Sequence, residues 1–266
     1  MDANHEKTTL EQLTRKFITG CHILHYHNVV DAYGHLSFRH PFKSDRFCMS
    51  RYIAPGTISS PNDLIEYYVK DAEPVDPNSS KGYSERCIHS ECYKRYPSVQ
   101  SVIHSHSEAV VPYTISGVPL RPCFHMGGFL GTGVPVWDIG EAYQPDDIKD
   151  MLVRNVHLGS SLAATFSDGG DVPKHAVALM RGHGLTVVAD NIEECVLRAI
   201  YTQKNAAIQT TALTTRAAYG KATQEIKYLS EEESAAATNM TKWSAQRPWK
   251  LWVREVEASN LYVNAA

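Results

Sequence analysis

The chain has 266 residues, of which 43% are hydrophobic and 21% charged, and this balance is that of a globular protein with a sizeable core. The formal net charge of −3 gives no basic excess, so nucleic acid is not an expected partner. No apolar run approaches a membrane span, so no membrane association is expected, and the polar first residues lack a signal-peptide core. With six scattered cysteines and no CxxC pair, the sequence predicts a cytoplasmic protein with reduced thiols.

The first part of the chain predicts a helix followed by short strands of one α/β unit. The helix is indicated by apolar residues at helical spacing: Leu10, Leu13, Phe17, Cys21 and Leu24. It is expected to end near Tyr33-Gly34, and residues 35–39 and 47–50 are predicted to be strands. Residues 58–63 are predicted to be a loop that leads into a helix or a turn.

A second helix is predicted after Ser84, a typical N-cap residue, with Glu85 as its first residue. This helix leads into an apolar strand over residues 101–107, and a short helix over 107–115 follows. Residues 127–133 are predicted to be a glycine-rich loop. They lack the GxGxxG pattern, so a dinucleotide site is not expected here.

The last part of the chain predicts two more strands and a largely helical end. Residues 176–180 and 185–188 are predicted strands, and Asn191 or the aspartate before it is expected to cap a long helix. One domain is expected over residues 1–266, with a C-terminal helical extension from about residue 221. Packing or subunit contacts are favoured over catalysis for three tryptophans of this tail: Trp243, Trp249 and Trp252.

Two histidines on the predicted strand over 101–107 are the strongest functional signal in the chain. His104 and His106 are two residues apart, so both rings point to one face, where they can chelate a metal. A third histidine, His183, lies in a turn between two glycines, which allow a close approach of backbone and ring. A chance HxH pair is not rare among 13 histidines. Three neutral histidines with one open position are nevertheless typical of a catalytic zinc site.

Glu85 is the candidate proton donor beside this metal. A glutamate in the first turn of a helix ordinarily interacts with the helix dipole, which is the alternative interpretation. Here the helix leads directly into the strand that carries His104, so the carboxylate is expected over the metal. In a partly dry pocket a carboxylate in this position can transfer a proton.

Three polar residues alternate along the predicted strand over 35–39. His35, Ser37 and Arg39 share one face of this strand. A histidine, a hydroxyl and a guanidinium together suit an anionic group, so these residues are predicted to bind substrate. The alternative is a polar strand face that meets solvent.

The principal motifs resemble those of the class II aldolase/adducin superfamily: Tyr83-Ser84-Glu85-Arg86, Val102–Ser107 and Met180–Gly184. The resemblance extends upstream to Asp31–Arg39 and Tyr52–Gly56, and it covers roughly residues 8–220. It implies a single-domain, three-layer α/β/α fold with a central, mainly antiparallel sheet. It also implies a homo-oligomer, commonly a tetramer, with active sites at subunit interfaces.

The decarboxylase-like branch of this superfamily is the more similar one. Sugar-phosphate aldolases usually carry a Gly-Asn-x-Ser turn that helps to hold the substrate phosphate, whereas this chain has Gly34-His35-Leu36-Ser37. The more similar branch contains hydroxy-carboxymuconic semialdehyde decarboxylases and dihydroxyphthalate decarboxylases. His125 matches a position near the active site of that branch, so it is a second catalytic candidate. The alternative is a core histidine hydrogen-bonded to backbone.

The expected function is that of a metal-dependent lyase that works through a metal-stabilised enolate. Its expected reaction is decarboxylation of a small-molecule carboxylate, a hydroxylated aromatic or an oxo or hydroxy acid. One divalent metal per subunit is expected, Zn²⁺ first, with Mn²⁺, Co²⁺ or Fe²⁺ as alternatives. Three other functions stay open: retro-aldol cleavage of a small hydroxy-carbonyl compound, a non-haem metal oxygenase of aromatic or secondary metabolism, and a non-catalytic adducin-like module.

Overall fold

The computed structural model describes residues 3–220 and 225–266, and its centre is a seven-stranded sheet. The strands are β1 (His35–Arg39), β2 (Arg46–Ser50), β3 (Leu64–Tyr68), β4 (Ser101–Ser105), β5 (Val136–Trp137), β6 (Val177–Met180) and β7 (Gly184–Ala189). Their order across the sheet is β3-β2-β1-β4-β7-β6-β5. All neighbouring strands are antiparallel except β5 and β6.

Helices cover both faces of this sheet. They are α1 (Ala3–Tyr26), α2 (Arg86–Arg95), α3 (Val111–Ile115), α4 (Val156–Ala164), α5 (Ile192–Ala218), α6 (Glu231–Ser244) and α7 (Gln246–Glu257). Helices α1, α5 and α7 contribute to one hydrophobic core, and α2 and α4 contribute to another. The expected three-layer α/β/α fold with a central, mainly antiparallel sheet is therefore confirmed.

Alternation along the strands assigns side chains to the two cores. Leu36 and Phe38 of β1 pack with α1 and α5, whereas Val102 of β4 packs with the core of α2 and α4. Successive residues of a strand point to opposite faces, so His35 and His104 lie on the face that α2 covers. The register pairs these two histidines directly across β1 and β4. The candidate site thus forms between the sheet and the start of α2.

Two sequence predictions about local structure are wrong. Helix α1 ends at Tyr26, before Tyr33-Gly34, because Asn28 adopts a left-handed conformation with φ of 55° that stops the helix. The predicted helix over 107–115 is shortened to Val111–Ile115. The loop that begins at residue 58 does lead into the expected turn, the 3-10 helix Pro61–Asp63, and the edge strand β3 that follows this turn was not predicted.

The C-terminal helix α7 packs into the core that α1 and α5 form on one face of the sheet. Trp249 and Trp252 are buried in the core that contains α1 and α5, whereas the side chain of Trp243 on α6 is 77% exposed. Residues 221–224, where the helical extension was expected to begin, lie outside the described residues. Within the described ranges, every helix is too short or too polar to span a lipid bilayer.

Candidate active site

A close approach of two strands brings the three predicted metal ligands together. His104 lies near the end of β4, His106 follows it, and His183 precedes β7, the antiparallel neighbour of β4. At Gly184, with φ of 159°, a Cβ atom would stand 2.0 Å from the carbonyl oxygen of Ser105. Only glycine permits this contact, so the residue after His183 sets the spacing of the ligands.

The ring nitrogens of the histidines face one another. Nε2 of His106 lies 3.0 Å from Nε2 of His104 and 3.0 Å from Nε2 of His183. Oε2 of Glu85 is 3.7 Å from Nε2 of His104 and 3.8 Å from Nε2 of His183. The four candidate ligand atoms all lie within 4.8 Å of one another. The structure therefore brings Glu85 and the three histidines into one cluster.

This donor set fits a cation. Burial lowers the pKa of His183 to about 4, and it lowers those of His104 and His106 as well, so the three rings are neutral near pH 7. Nε2 of a neutral ring carries either a proton or a lone pair, not both. Nε2 of His106 therefore cannot donate to one neighbour while it accepts from the other. A cation that receives a lone pair from each ring satisfies all three nitrogens.

Glu85 is held at the start of α2, with its carboxyl group directed at the histidines. It occupies the N-cap position and α2 begins at Arg86, so the prediction of Ser84 as N-cap was wrong by one residue. The Glu85 side chain does not cap the helix, and its Oε1 accepts a hydrogen bond of 3.0 Å from the N–H of Val153. Burial raises the pKa of Glu85 to about 7. A carboxyl group with this pKa can carry or release a proton near neutral pH.

One short loop, Asp150–Arg154, contacts both Glu85 and a metal-ligand candidate. Met151 forms a backbone hydrogen bond with the His183 ring, while Val153 binds Glu85. Met151 is left-handed, with φ of 69°, an unusual conformation for a residue other than glycine. Its N–H donates to Oη of Tyr143 at 3.0 Å, which supports this conformation. The loop therefore fixes the acid and a ligand together.

Two of the residues predicted to bind substrate form a buried network behind the cluster. Nδ1 of His35 lies 2.7 Å from Nε2 of His89, and Nδ1 of His89 lies 2.6 Å from Oγ of Ser37. The hydroxyl of Ser37 also contacts that of Tyr93. The rings of His35 and His104 have centroids 5.1 Å apart. The geometry thus favours a supporting role for His35 and Ser37, and their contact with substrate stays a prediction.

Arg39 lies on the same buried side of the sheet, and its N–H groups donate to backbone carbonyl oxygens. The guanidinium donates to the carbonyl oxygens of Ser44, Tyr93, Tyr96 and Val99. It also lies over the ring of Tyr93, 4.9 Å from the centroid. Nε and both Nη atoms thus each donate to the backbone, and the contact of Arg39 with substrate stays a prediction.

His125 is not brought to the cluster within one chain. It begins the 3-10 helix His125–Leu130, which replaces part of the predicted glycine-rich loop, and its ring is exposed. It lines a surface depression with residues of α6 and α7 and stacks edge-on against Phe124. Its catalytic role stays a prediction.

Sequence reasoning missed the contributions of Tyr143, Met151 and Val153. Two of these act through backbone groups, which carry no residue-type signal. The spacing of His89, one helical turn after Glu85, does predict a position on the same side of α2 and a structural role beside the site.

A family model matches most of the chain. The model described as the class II aldolase and adducin N-terminal domain aligns with residues 15–210. Among curated proteins, the chain is 54% identical over 257 residues to the decarboxylase tropJ of Talaromyces stipitatus, covering 95% of this chain and 97% of that protein. It is 35% identical over 127 residues to a 3,4-dihydroxyphthalate decarboxylase of Arthrobacter keyseri, covering 45% of each chain.

Solved structures give the same fold at lower identity. An aldolase II superfamily protein from Pseudomonas syringae superposes with a TM-score of 0.72 at 18% identity, covering 94% of each chain. An L-fuculose 1-phosphate aldolase from Glaciozyma antarctica superposes with a TM-score of 0.70 at 16% identity, covering 95% of this chain and 91% of that one. At such identities the likeness concerns the fold alone.

Proposed function

The chain belongs to the class II aldolase and adducin family and is a lyase, and from this premise we propose that it is a metal-dependent decarboxylase. The observation that carries the proposal is the placement of Glu85, whose free carboxyl oxygen faces the Nε2 atoms of His104 and His183 at 3.7 and 3.8 Å. This arrangement joins a proton donor to a set of neutral metal ligands.

One divalent cation per subunit is proposed at His104, His106 and His183. Neutral imidazoles suit Zn²⁺, and Mn²⁺, Co²⁺ and Fe²⁺ are the alternatives that a titration must compare. When bound, the cation would supply a Lewis acid that stabilises negative charge on a substrate oxygen. The buried position of His104 and the glycine-controlled turn at His183 keep the ligands in place without rearrangement.

The proposed task of Glu85 is to deliver a proton to carbon. When the bond to the leaving carboxylate breaks, its electron pair stays on the substrate carbon and is delocalised into the neighbouring carbonyl group. The carboxyl group of Glu85 then gives its proton to that carbon, and the resulting carboxylate recovers a proton from water. The N–H of Val153 keeps its hydrogen bond to Oε1 of Glu85 during this exchange, so Oε2 is the oxygen that transfers the proton.

The proposed substrate is a hydroxylated aromatic acid or an oxo or hydroxy carboxylic acid. The name of one relative supports the first class, since 3,4-dihydroxyphthalate is a hydroxylated aromatic dicarboxylate. A carbonyl or phenolic oxygen next to the departing carboxylate provides the electron sink that the reaction needs.

A homotetramer with active sites at subunit contacts is also proposed. Helices α5, α6 and α7 expose large apolar side chains that a monomer would leave in water: Ile208, Tyr219, Trp243 and Leu251. His125 lies beside α6 and α7, so this proposal provides the one route by which it reaches a neighbouring site.

The test is an anaerobic assay of the metal-loaded protein with hydroxylated aromatic acids and muconate-type acids. Release of one CO₂ per substrate, lost on chelation and restored by a divalent metal, is the expected result. An aldehyde product without CO₂ would identify retro-aldol cleavage instead. A product that forms only with oxygen would identify an oxygenase, and either result would overturn the proposed decarboxylation.

A further inference from the structure

A cavity of about 580 Å³ lies against the hydrogen bond between Glu85 and Val153. Its walls include both sequence neighbours of Glu85, Ser84 and Arg86, and both neighbours of Val153, Leu152 and Arg154. This volume is within the range of small-molecule sites. A molecule that occupies the cavity therefore contacts the segments that hold the proposed acid.

The cavity is lined by three cations, Lys81, Arg86 and Arg154, and by one carboxylate, Glu73. Two of the cations, Lys81 and Arg154, have capacity for a ligand. Arg86 donates to backbone carbonyls of Ala72 and Tyr83 and pairs with Glu73. Arg154 uses Nε and Nη2 on one oxygen of Asp150, which leaves Nη1 outside that pair. Lys81 is exposed, and no carboxylate within the described part of the chain pairs with it.

Aromatic rings complete the cavity. Nζ of Lys81 lies 5.0 Å from the centroid of the Tyr52 ring, so the ammonium group is held at the wall. Tyr67 forms another part of the lining, and its hydroxyl lies where a Cβ atom of residue 82 would be, because residue 82 is glycine. Flat rings beside positive charge suit an aromatic anion.

A second cavity, beside His106, has carboxylates in its wall. It measures about 630 Å³ beside His106 and is lined by Asp31 and Glu108. Oδ1 of Asp31 lies 4.0 Å from Nδ1 of His106. Carboxylates in this wall repel an anionic ligand, so charge complementarity favours the cavity at Lys81.

We propose that the cavity beside Glu85 binds a carboxylate that the substrate retains through the reaction, with Lys81 and Arg154 as its counter-charges and Tyr52 as an aromatic wall. This inference rests on the proposed function, and it narrows the substrate class to acids with a second carboxylate.

The experiment compares the binding of phthalate and of benzoate to the full-length, metal-loaded protein by calorimetry. Both probes carry one carboxylate on an aromatic ring, and only phthalate carries a second. Wild-type protein is expected to bind phthalate about tenfold more tightly, the scale of one charge-assisted contact. Lys81→Met is expected to remove this preference, with metal content unchanged.

Matched variants separate a specific site from general surface charge. Lys70 is also exposed and lies 5.2 Å from the centroid of the Tyr68 ring, and it pairs with Asp71 at 3.5 Å. Lys70→Met therefore removes another lysine that faces a tyrosine ring, away from the cavity. It is expected to keep the phthalate preference. Asp150→Asn frees Arg154 from its partner and is expected to tighten phthalate binding several-fold.

Two results would overturn the inference: a wild-type protein that binds both probes equally, or equal losses in Lys81→Met and Lys70→Met. Neither depends on turnover. A protein that shows the phthalate preference but releases no CO₂ from any acid would refute the proposed decarboxylation and leave the carboxylate site intact.

Discussion

The N–H of Val153 donates to Oε1 of Glu85 across 3.0 Å, and this contact selects the carboxyl oxygen that faces the histidines. A carboxyl group that is fixed by a hydrogen bond at one oxygen and faces the histidines with the other can transfer a proton without a change of rotamer.

Glu85→Gln is expected to lower kcat by roughly 10²–10⁴-fold with little change in metal content, because the amide keeps the Val153 contact but supplies no comparable proton. Steady-state kinetics and metal analysis measure this. Glu91→Gln is the control, since Glu91 is another buried glutamate of α2 and pairs with Lys94. A Glu85→Gln enzyme with wild-type turnover would assign the proton to another donor. Loss of the metal would make Glu85 a ligand.

His106→Ala is expected to leave a folded protein with far less metal and activity, because one of three lone pairs is lost. The double variant His104→Ala/His106→Ala is expected to bind no stoichiometric metal. Elemental analysis after dialysis measures both, with His175→Ala as a control at a histidine outside the cluster. Full metal retention in the double variant would refute the proposed ligand set.

Tyr143→Phe removes the acceptor of the Met151 N–H and is expected to weaken metal affinity and kcat together by about fivefold, the scale of one neutral hydrogen bond. The reason is that the loop holds both His183 and Glu85. Competitive chelation and kinetics measure the two effects. Tyr96→Phe deletes another buried tyrosine hydroxyl, bonded to Ala163, and is expected to change stability but neither readout. Unchanged metal affinity in Tyr143→Phe would show that the hydrogen bond to the loop does not support the metal site.

His89→Phe is expected to destabilise the fold by about 2–5 kcal/mol, because the buried His35 and Ser37 each lose a hydrogen-bond partner. Burial lowers the pKa of His89 to about 3, so protonation favours the unfolded chain. Titration of His89 therefore lowers the free energy of unfolding progressively as the pH falls below about 6.5 toward the pKa of the folded state. Denaturant titrations between pH 7 and 4 should show a shallower acid dependence in the variant. An unchanged slope would exclude His89 as a source of acid sensitivity.

The active form is expected to be a tetramer, and sedimentation of the purified protein with a parallel activity assay measures this. Trp243→Asp, which places a charge on the exposed face of α6, is expected to lower the association state. A fully active wild-type monomer would contradict the proposed subunit contacts.

The sequence predicted the parts of this molecule that depend on side-chain pattern. Alternation located β1 and assigned His35, Ser37 and Arg39 to one strand face, and apolar runs located β4 and β7. Edge strand β3 was missed because its half-buried residues follow a loop rich in turn signals. The partners of Arg39 were not predictable, since the five N–H groups of a guanidinium can donate to a carboxylate or to several carbonyls, and only the fold decides which is near.

The contribution of the loop over residues 150–154 could not be predicted from the sequence, for a different reason. Its contribution comes from the N–H of Val153 and from the backbone of Met151, and every residue type except proline offers such groups. The chain separation of Glu85 and Val153, 68 residues, also leaves no local pattern to find.

The positions of the metal-ligand candidates in the chain have a consequence for the local unfolding of the sheet. His106 and His183 are 77 residues apart in the chain, yet they meet at the ends of two neighbouring strands. A bound cation would hold these two strand ends together in the folded chain alone, and at a free concentration about 100 times its Kd it would stabilise the folded state by about 2.7 kcal/mol. Amide hydrogens of β4 and β7 should therefore exchange with solvent faster when the metal is removed, while those of the distant pair β2 and β3 change least.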